Sequence, residues 1–540
     1  MRVVIFAGYL AVLLVLALVA RRRAKSGHED FFLASRKLGP VLLLVTLAAT
    51  NFSAFTIFGF AGAGYRLGYA YYPIMAFGTG FMAITFLLIG VPAHRAAVAT
   101  GAITPPELIY HRFKSRILQT AYLVVMVVFT LPYLALQPLG AGYMLSASFG
   151  IPYQLGAGLI VLVGVGYVLL GGLRGDAWTD LFQGVLMLGG MMVIFFALVA
   201  ALGGFSPVSA EVAQRLPELF SRPGGGGFFT PGIWFSYLVL WFLCDPMFPQ
   251  LFQRFLAAKG EQALRKSASF YPAITGVLFF FPVAIGVLAH SVLPDMAGKQ
   301  TDQILPLVVN KTLSPFFTGV LTVVGLSALM STMDSQLLTL SSMVIRDTRL
   351  LLGKPPEPRP RLQTLVIAVL ALVGFLLALK PPGTILDIAT ETFTGLAVLF
   401  PVTMAGAYWN RANPYAGVAS IVVGETMVVL YHLKLIPDFG FLPVIPVIVV
   451  TTVVLLLGSL FFPARGLAAW SRFSGFNRRW VLMMVLIFVL ANDFWNWQRT
   501  TPLILGLPGW LWYHILLTFG LAVVLNRCRF QISEQSAVCA

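Results

Sequence analysis

Long apolar segments alternate with short polar ones from one end of the chain to the other. Each apolar run is close to the ~20 residues that a helix needs to cross a bilayer. The polar segments between them are too short to form a separate soluble domain. The pattern therefore predicts an all-α polytopic membrane protein. Fifteen runs recur, at about residues 3–21, 41–66, 74–98, 118–147, 153–173, 179–203, 233–256, 270–293, 314–345, 363–380, 384–409, 413–432, 441–463, 480–498 and 506–526.

Composition agrees with this prediction and changes how the net charge is interpreted. The chain is 58% hydrophobic and 10% charged, with a formal charge of +16. Such a charge would suggest a nucleic-acid partner if it lay on one soluble surface. Most of the basic residues instead fall on one side of the membrane when the first span runs from outside to inside. We therefore expect an external N-terminus, a cytoplasmic C-terminus, lipid headgroups as neighbours and no nucleic acid.

The N-terminal run and the cysteines add little chemistry. Residues 1–21 do not read as a cleavable signal peptide, because the positive cluster follows the apolar run instead of preceding it. The three cysteines, Cys244, Cys528 and Cys539, have no metal-ligand spacing, and we expect no disulfide framework. No cofactor or catalytic motif stands out, so the sequence does not predict an enzyme.

One apolar run becomes polar at its centre, in the segment Leu326–Asp347. Hydroxyl groups at membrane depth offer oxygen ligands to a hard cation. Small and hydroxylated residues also allow transmembrane helices to pack closely. The spacing alone leaves both interpretations open. Four such residues share one side of a helix, at i, i+3, i+4 and i+7: Ala328, Ser331, Thr332 and Ser335.

Two further runs are interrupted near their centres. The run 41–66 carries Thr50, Asn51 and Ser53 there, which indicates either an unwound helix with exposed carbonyls or a tight packing face. The run 233–256 contains Pro246 and Pro249, and two prolines in one span predict a broken helix that lines a cavity.

Acidic and polar side chains lie close to these interruptions. Asp245 precedes the first proline and is either a functional residue or a cap of the second half-helix. Trp241 by itself fits packing better than ligand contact. Tyr133 and Gln137 share one helix face at i, i+4, beside two prolines. Asp180 opens a later span, where a helix cap and an ion ligand are equally good explanations.

The interrupted runs divide the chain into two blocks of five spans with opposite topology. Paired broken helices at corresponding positions predict an inverted-repeat transporter with its site at the bilayer midplane. The predicted segments are a first helix and cytoplasmic loop (1–40), a first repeat (41–203), an external loop (204–232), a second repeat (233–409), peripheral helices (410–527) and a cytoplasmic tail (528–540).

Four segments, in order along the chain, resemble the sodium/solute symporter family: "FFLASRKLG", "GGLRGDAWTDLFQG", "PQLFQRFLAAK" and "ALMSTMDSQLL". The similarity covers about residues 5–465. It implies a LeuT-type five-plus-five inverted repeat with one extra N-terminal and about four extra C-terminal helices. It also implies an inner-membrane carrier that takes up a small organic solute, a carboxylate or an amino-acid-like compound, together with sodium.

The resemblance implies residues for each ligand. Carbonyls of Ala49, Phe52 and Ala328 and hydroxyls of Ser331 and Thr332 would bind sodium. Some members have a second site, which here would comprise Asp180, Asp334 and Ser335 and take a cation or a proton. Asp334 stands where those members have serine, so the number of coupled ions is open. The implied solute pocket comprises Thr50, Asn51, Ser53, Tyr133, Gln137, Trp241 and Asp245.

Two alternatives accompany sodium symport by alternating access. Proton coupling on the same scaffold would use Asp334, Asp180 or Asp245. A transporter-like membrane sensor would need a partner in trans, since the segment after Arg527 is too short for a kinase domain. Asp245 beside the pocket is unsuited to a plain monocarboxylate and suits either an amine-bearing solute or a protonatable coupling residue.

Overall fold

A computed structural model describes residues 1–23, 32–354, 359–464, 468–471 and 478–527. Within these residues it is built almost entirely from helices. The predictions for Cys528, Cys539 and the tail 528–540 lie outside the described residues. Cys244 is buried with a free thiol.

The first interrupted run is a broken helix. Helix α1 spans Arg2–Arg23, and α2 spans Pro40–Asn51 with proline in its first turn. Phe52 then adopts an extended backbone, a π-helical turn covers Phe55–Gly59, and α3 follows at Phe60–Leu67. The last carbonyls of α2 therefore have no continuing helix to bond with.

The second interrupted run breaks at the prolines. After α4 to α9, listed below, α10 covers Pro231–Cys244 and continues into a short 3-10 turn at Asp245–Met247. Phe248 is extended, and α11 starts with Pro249 and ends at Ala257. The two halves meet at an angle of 56°. Proline cannot supply the backbone N–H that a continuous helix would need, so both predicted breaks are present.

The remaining elements are helices and one small hairpin. They are α4 (Tyr71–Met82), α5 (Val91–Thr100), α6 (Pro105–Phe113), α7 (Arg116–Phe149), α8 (Tyr153–Ala201), α9 (Phe205–Arg215), α12 (Glu261–Leu278), α13 (Phe280–Leu288), α14 (Ile304–Thr312), α15 (Pro315–Leu351), α16 (Pro360–Ala378), α17 (Ile385–Ala397), α18 (Phe400–Tyr408), α19 (Pro414–His432), α20 (Val444–Phe461), α21 (Arg478–Asn492) and α22 (Gly509–Arg527), with β1 (Leu503–Ile504) paired to β2 (Leu507–Pro508).

The predicted runs correspond to these helices with two differences. The described residues contain 12 helices long and apolar enough to cross a membrane, besides the bent pair α10–α11 and two shorter apolar helices, Arg2–Leu16 and Pro40–Asn51. Helical structure continues from Phe55 to Thr100, through the turn between two predicted runs.

In α8, the hydroxyls of Tyr167 and Thr179 lie 3.0 Å apart. Twelve residues of straight helix would rise about 18 Å, so α8 turns sharply between them.

Backbone hydrogen bonds join α2 of the first broken helix to α11 of the second. The amide of Leu38, just before α2, donates to Ala257 O at 3.3 Å, and Lys259 N donates to Leu38 O at 2.9 Å. Arg36 strengthens this junction, since its guanidinium donates to Leu256 O at 3.0 Å and to Ala102 O at 2.7 Å. The N-terminal end of α2 and the C-terminal end of α11 are therefore held together.

The second half of the first broken helix, α3, crosses α13 at very short range. A Cβ on Gly64 would lie 2.4 Å from Val283 O, and a Cβ on Gly286 would lie 2.1 Å from Ala61 O. Real side-chain carbons do not approach backbone oxygen so closely, so only glycine permits this crossing. The site between the helix breaks depends on it, because α3 could not otherwise reach its position.

Gly286→Val should therefore destabilise the fold. Overpacking a tight contact costs about 1–3 kcal/mol, and here backbone would have to shift, so we expect a thermal midpoint lowered by several degrees in detergent-purified protein. Gly520→Val in α22, where nothing lies within 4 Å of the added carbon, is the matched control. Equal midpoints for the two variants would contradict the crossing.

Candidate functional site

The end of α2 meets the centre of α15. The Thr332 hydroxyl donates to Thr50 O at 3.0 Å and lies 3.4 Å from Phe52 O. Both acceptors are among the carbonyls that the break in α2 leaves without a helical partner. Ala328 lies one turn before Thr332 on the same face of α15, and both are completely buried. Ala49, one residue before Thr50, is buried at the same helix end.

Ser331, next to Thr332, faces an acid. Its hydroxyl donates to Asp180 Oδ1, and the hydroxyl of Thr46 donates to Asp180 Oδ2. Thr50 also turns toward this acid, with its hydroxyl 3.4 Å from Asp180 Oδ2 and 3.2 Å from the Ser335 hydroxyl. Asp180 is therefore a hydrogen-bond acceptor in the membrane interior and not a helix cap. It connects α2, α8 and α15.

A buried guanidinium occupies the middle of this group. Nη2 of Arg254, in α11, lies 2.7 Å from Asp176 Oδ2, 3.0 Å from Asp180 Oδ2 and 2.6 Å from Ser335 Oγ. Its Nε donates to Thr46 Oγ1 at 2.8 Å. Arg254 is completely buried, and Asp176 is 4% exposed. Two carboxylates one helical turn apart are thus held by one cation.

Asp334 lies apart from this ion-pair network. Its side chain is 1% exposed, and among the described residues its carboxylate has no close hydrogen bond, with the Tyr167 hydroxyl as a weaker neighbouring donor. It lines a small cavity with Tyr167, Asp176 and Leu338. Of the residues predicted for a second ion site, the structure therefore brings Asp180 and Ser335 together around Arg254 and leaves Asp334 on a neighbouring face.

A second cavity lies between the two helix breaks and is lined by four of the predicted solute residues: Asn51, Tyr133, Trp241 and Asp245. The other three, Thr50, Ser53 and Gln137, do not line it, and the Thr50 hydroxyl faces Asp180 instead. Asn51 Nδ2 donates to the Tyr271 hydroxyl at 2.9 Å, and the Tyr133 hydroxyl donates to Ser53 Oγ at 3.1 Å. Gln137 is a structural neighbour, since its Oε1 accepts from Ala54 N at 3.1 Å. It thereby stabilises the unwound backbone instead of lining the cavity.

Aromatic rings form most of the wall of this cavity. Trp241 lies beside Phe393 and Phe55, with ring centroids 5.5 Å and 5.7 Å away. Asp245 lies in the same wall. Space for about 10 Å³ remains inside, close to what one water molecule needs. The complete lining is Asn51, Phe55, Thr56, Phe60, Met75, Thr79, Tyr133, Trp241, Asp245, Phe248, Phe279 and Phe393.

Comparisons with known proteins agree with this arrangement. The model of the sodium:solute symporter family matches residues 31–424. The chain belongs to the sodium:solute symporter family. It is a sodium-coupled solute symporter, and membership places it among transporters.

Individual relatives cover most of the symporter. The sodium/pantothenate symporter of Escherichia coli (strain K12) is 26% identical over 465 residues, which are 84% of this chain and 95% of the relative. The osmoregulated proline transporter OpuE of Bacillus subtilis (strain 168) is 30% identical over 419 residues, 75% of this chain and 83% of the relative.

Solved structures of similar fold confirm the LeuT-type architecture. A Na+-coupled sialic acid symporter aligns with a TM-score of 0.73 at 20% identity, over 86% of this chain and 98% of that one. Mhp1, a nucleobase-cation-symport-1 family transporter, aligns with a TM-score of 0.56 at 15% identity, over 80% and 95%. The predicted fold class and family are therefore confirmed.

Sequence reasoning did not single out several residues that the symporter brings to its centre. The charge pattern alone groups Arg254 with the other basic residues at the end of a span, whereas the structure buries it completely among helices. Asp176 and Asp180 at i, i+4 carried a usable signal, because two acids on one face of a span need a cation nearby. Tyr271, Phe248 and Phe393 gave no such signal, because aromatic residues are common throughout membrane helices.

Arg254→Gln should destabilise the symporter strongly. Removing one partner of a buried ion pair leaves uncompensated charge and costs about 3–5 kcal/mol. We expect a much lower thermal midpoint, with partial recovery when Asp176→Asn is added because one unpaired acid is then removed. Arg215→Gln, which removes an exposed pair with Glu211, should change the midpoint little. A midpoint of Arg254→Gln equal to that of Arg215→Gln would contradict the network.

Proposed function

We propose that sodium binds between the end of α2 and the centre of α15, through carbonyls of Ala49, Phe52 and Ala328 and hydroxyls of Ser331 and Thr332. The observation that carries this proposal is the contact of the Thr332 hydroxyl with carbonyls freed by the break in α2. Uncharged oxygen ligands suit a hard monovalent cation that must also leave again.

The neighbouring acid makes this position electrostatically favourable. Ser331 donates to Asp180, so a formal negative charge lies one hydrogen bond away from the proposed ion. Part of that charge is balanced by Arg254, which contacts Asp180 at 3.0 Å. The ion thus meets a moderate attraction instead of a direct carboxylate bond.

We further propose that one sodium ion is carried in each cycle. The residues implied for a second site include Asp180 and Ser335, and the guanidinium of Arg254 contacts both. The fixed positive charge of Arg254 balances the acid there as a second sodium ion would, and it opposes the entry of that ion by like-charge repulsion. Asp180 and Ser335 then hold the helices together, and Asp334 lies outside the pair network.

The solute binds, in this proposal, in the aromatic cavity next to the sodium position. Phe52 belongs to the ion site, while the adjacent Asn51 and Ser53 approach the solute cavity, so one unwound segment serves both ligands. Sodium that orders this segment lowers the free energy needed to bind solute, which is reciprocal linkage. Alternating access then releases both inside, and an inward-negative potential favours this by about 2.3 kcal/mol per charge per 100 mV.

This direction of transport requires the orientation inferred from the basic residues, with an external N-terminus and a cytoplasmic C-terminus. The backbone junction between Leu38 and Ala257 is then the cytoplasmic gate. It has to open for release, because it joins the inner halves of both broken helices.

Thr332→Ala should raise the sodium concentration needed for half-maximal uptake about ten-fold, since a hydrogen-bonding or coordinating contact to a charged group is worth about 1.5–3 kcal/mol. Maximal uptake at saturating sodium should change less. Ser341→Ala on the same helix, whose hydroxyl donates only to Leu338 O in the described structure, is the control. If Thr332→Ala had the same sodium dependence as the control, Thr332 would not be a sodium ligand and the proposed site would be wrong.

Purified symporter in proteoliposomes should accumulate solute when a sodium gradient is imposed and not when a pH gradient is imposed alone. The sodium dependence should have a Hill coefficient of about one, because one ion binds. A coefficient near two would contradict the role of Arg254. Accumulation under a pH gradient without sodium would favour proton coupling, and binding without any flux would favour a sensor.

A further inference from the structure

Asp245 has an unusual environment for a carboxylate. It is 2% exposed and lies at the start of the break in the second broken helix. Its Oδ2 has no hydrogen-bond partner among the described residues. Its Oδ1 accepts a weak contact from the adjacent Cys244 thiol at 3.5 Å, and the neutral side-chain amide of Asn51 lies beside the carboxylate in the same cavity wall. A buried carboxylate needs hydrogen bonds or a cation to offset the loss of water, and the surrounding protein supplies little of either.

The protein groups around Asp245 do not include a cation. The described residues that line the cavity comprise aromatic rings, Met75, two threonines, Asn51 and the aspartate itself. Arg254, in the second half of the broken helix, is already engaged by two acids and two hydroxyls. The charge of Asp245 is therefore left for a ligand to balance.

The aromatic wall favours the same kind of ligand. Phe393 is central to it, with ring centroids 4.7 Å from Phe248, 5.0 Å from Tyr133 and 5.5 Å from Trp241. Ring faces attract cations, and the attraction grows when water is excluded. Gly78 in α4 places the indole, since a Cβ there would lie 2.9 Å from Trp241 Cδ1. The cavity thus combines one acid with several π faces.

The Trp241 indole provides a second unpaired group. Trp241 is 1% exposed, and its Nε1 has no acceptor within the described part of the chain. An indole N–H is a donor only, so it suits an acceptor atom on the solute, such as a carboxylate oxygen. The two unpaired groups, one acceptor and one donor, lie in the same wall.

We propose that the solute carries a compact ammonium group, which pairs with Asp245 inside the aromatic cavity, and that the symporter selects cationic or zwitterionic solutes over simple carboxylate anions. This rests on the proposed function, which assigns the solute to this cavity. A plain anion would meet Asp245 as a like charge in a water-poor site, where repulsion is strong. In a zwitterion, the anionic end is then available to the Trp241 N–H.

Matched pairs of ligands test the ammonium requirement directly. Each pair keeps size and carboxylate and exchanges only positively charged nitrogen for carbon: L-proline with cyclopentanecarboxylate, glycine betaine with 3,3-dimethylbutanoate, and 4-aminobutyrate with pentanoate. Binding to the purified full chain in saturating sodium is measured by thermal shift and by calorimetry. At least one nitrogen member should bind, and its carbon partner should bind about thirty-fold more weakly or not at all, as expected when one partner of a buried charge pair is missing.

Asp245→Asn should remove this discrimination. The variant keeps the shape of the side chain, so the nitrogen member should lose about thirty-fold in affinity while the sodium-induced shift in melting temperature persists. Asp438→Asn, on an exposed loop, is the matched control and should bind as the wild type does. Retained sodium stabilisation shows that the variant is folded.

The outcomes separate this inference from the function on which it rests. Sodium-dependent binding of a carbon partner as tight as its nitrogen partner would overturn the ammonium requirement and leave sodium symport intact. No binding by any nitrogen member would overturn it as well. Nitrogen selectivity that depends on Asp245 but not on sodium would leave the inference intact and contradict the proposed coupling.

Discussion

Backbone groups set free inside a membrane are the constraint on which this molecule depends. A continuous helix bonds all of its own amides and carbonyls, and in lipid there is no water to replace those bonds. Two helices are broken, at Phe52 and at Phe248, so side chains of the surrounding helices must form hydrogen bonds with the freed backbone groups. Thr332 does so for α2, and the side-chain amide of Gln137 does so for Ala54. The break in α2 costs backbone hydrogen bonds, and the carbonyls freed there include those that we propose as sodium ligands.

Charge imposes a second constraint on the same region. Asp176, Asp180 and Arg254 come from α8 and α11, and Thr46 and Ser335 add hydroxyls from α2 and α15. Such a network is stable only when every member is satisfied. It therefore fixes the mutual position of four helices next to the proposed sodium position. A cation built into the protein at this point also explains how two neighbouring intramembrane acids coexist with a single proposed coupling ion.

The aromatic cavity differs from the proposed ion site because it contains buried polar atoms without a hydrogen-bond partner among the described residues. Around the proposed sodium position, a hydroxyl already bonds to backbone carbonyls, and the ion would replace contacts of similar kind. Around the solute, Asp245 and Trp241 retain unpaired polar atoms behind a wall of rings. The relatives named for pantothenate and for proline transport show that the family handles solutes of different charge. Local side chains such as Asp245, and not the fold, set that choice in our proposal.

The sequence by itself determined the class of protein, the helical spans, the two broken helices and the family. These features depend on hydropathy, prolines and short motifs, which act along the chain and need no knowledge of distant neighbours. It also indicated Ser331 and Thr332 as candidate ion ligands or packing residues, because helical spacing places both hydroxyls on one side of a helix. Only the tertiary structure decided that Thr50 faces Asp180 and does not line the aromatic cavity, that Gln137 bonds backbone, and that Arg254 lies among acids from α8. Those contacts depend on which helices pack together and on how each helix is rotated about its axis. The position of a hydroxyl, an amide or an arginine in the sequence does not specify which residue it will contact.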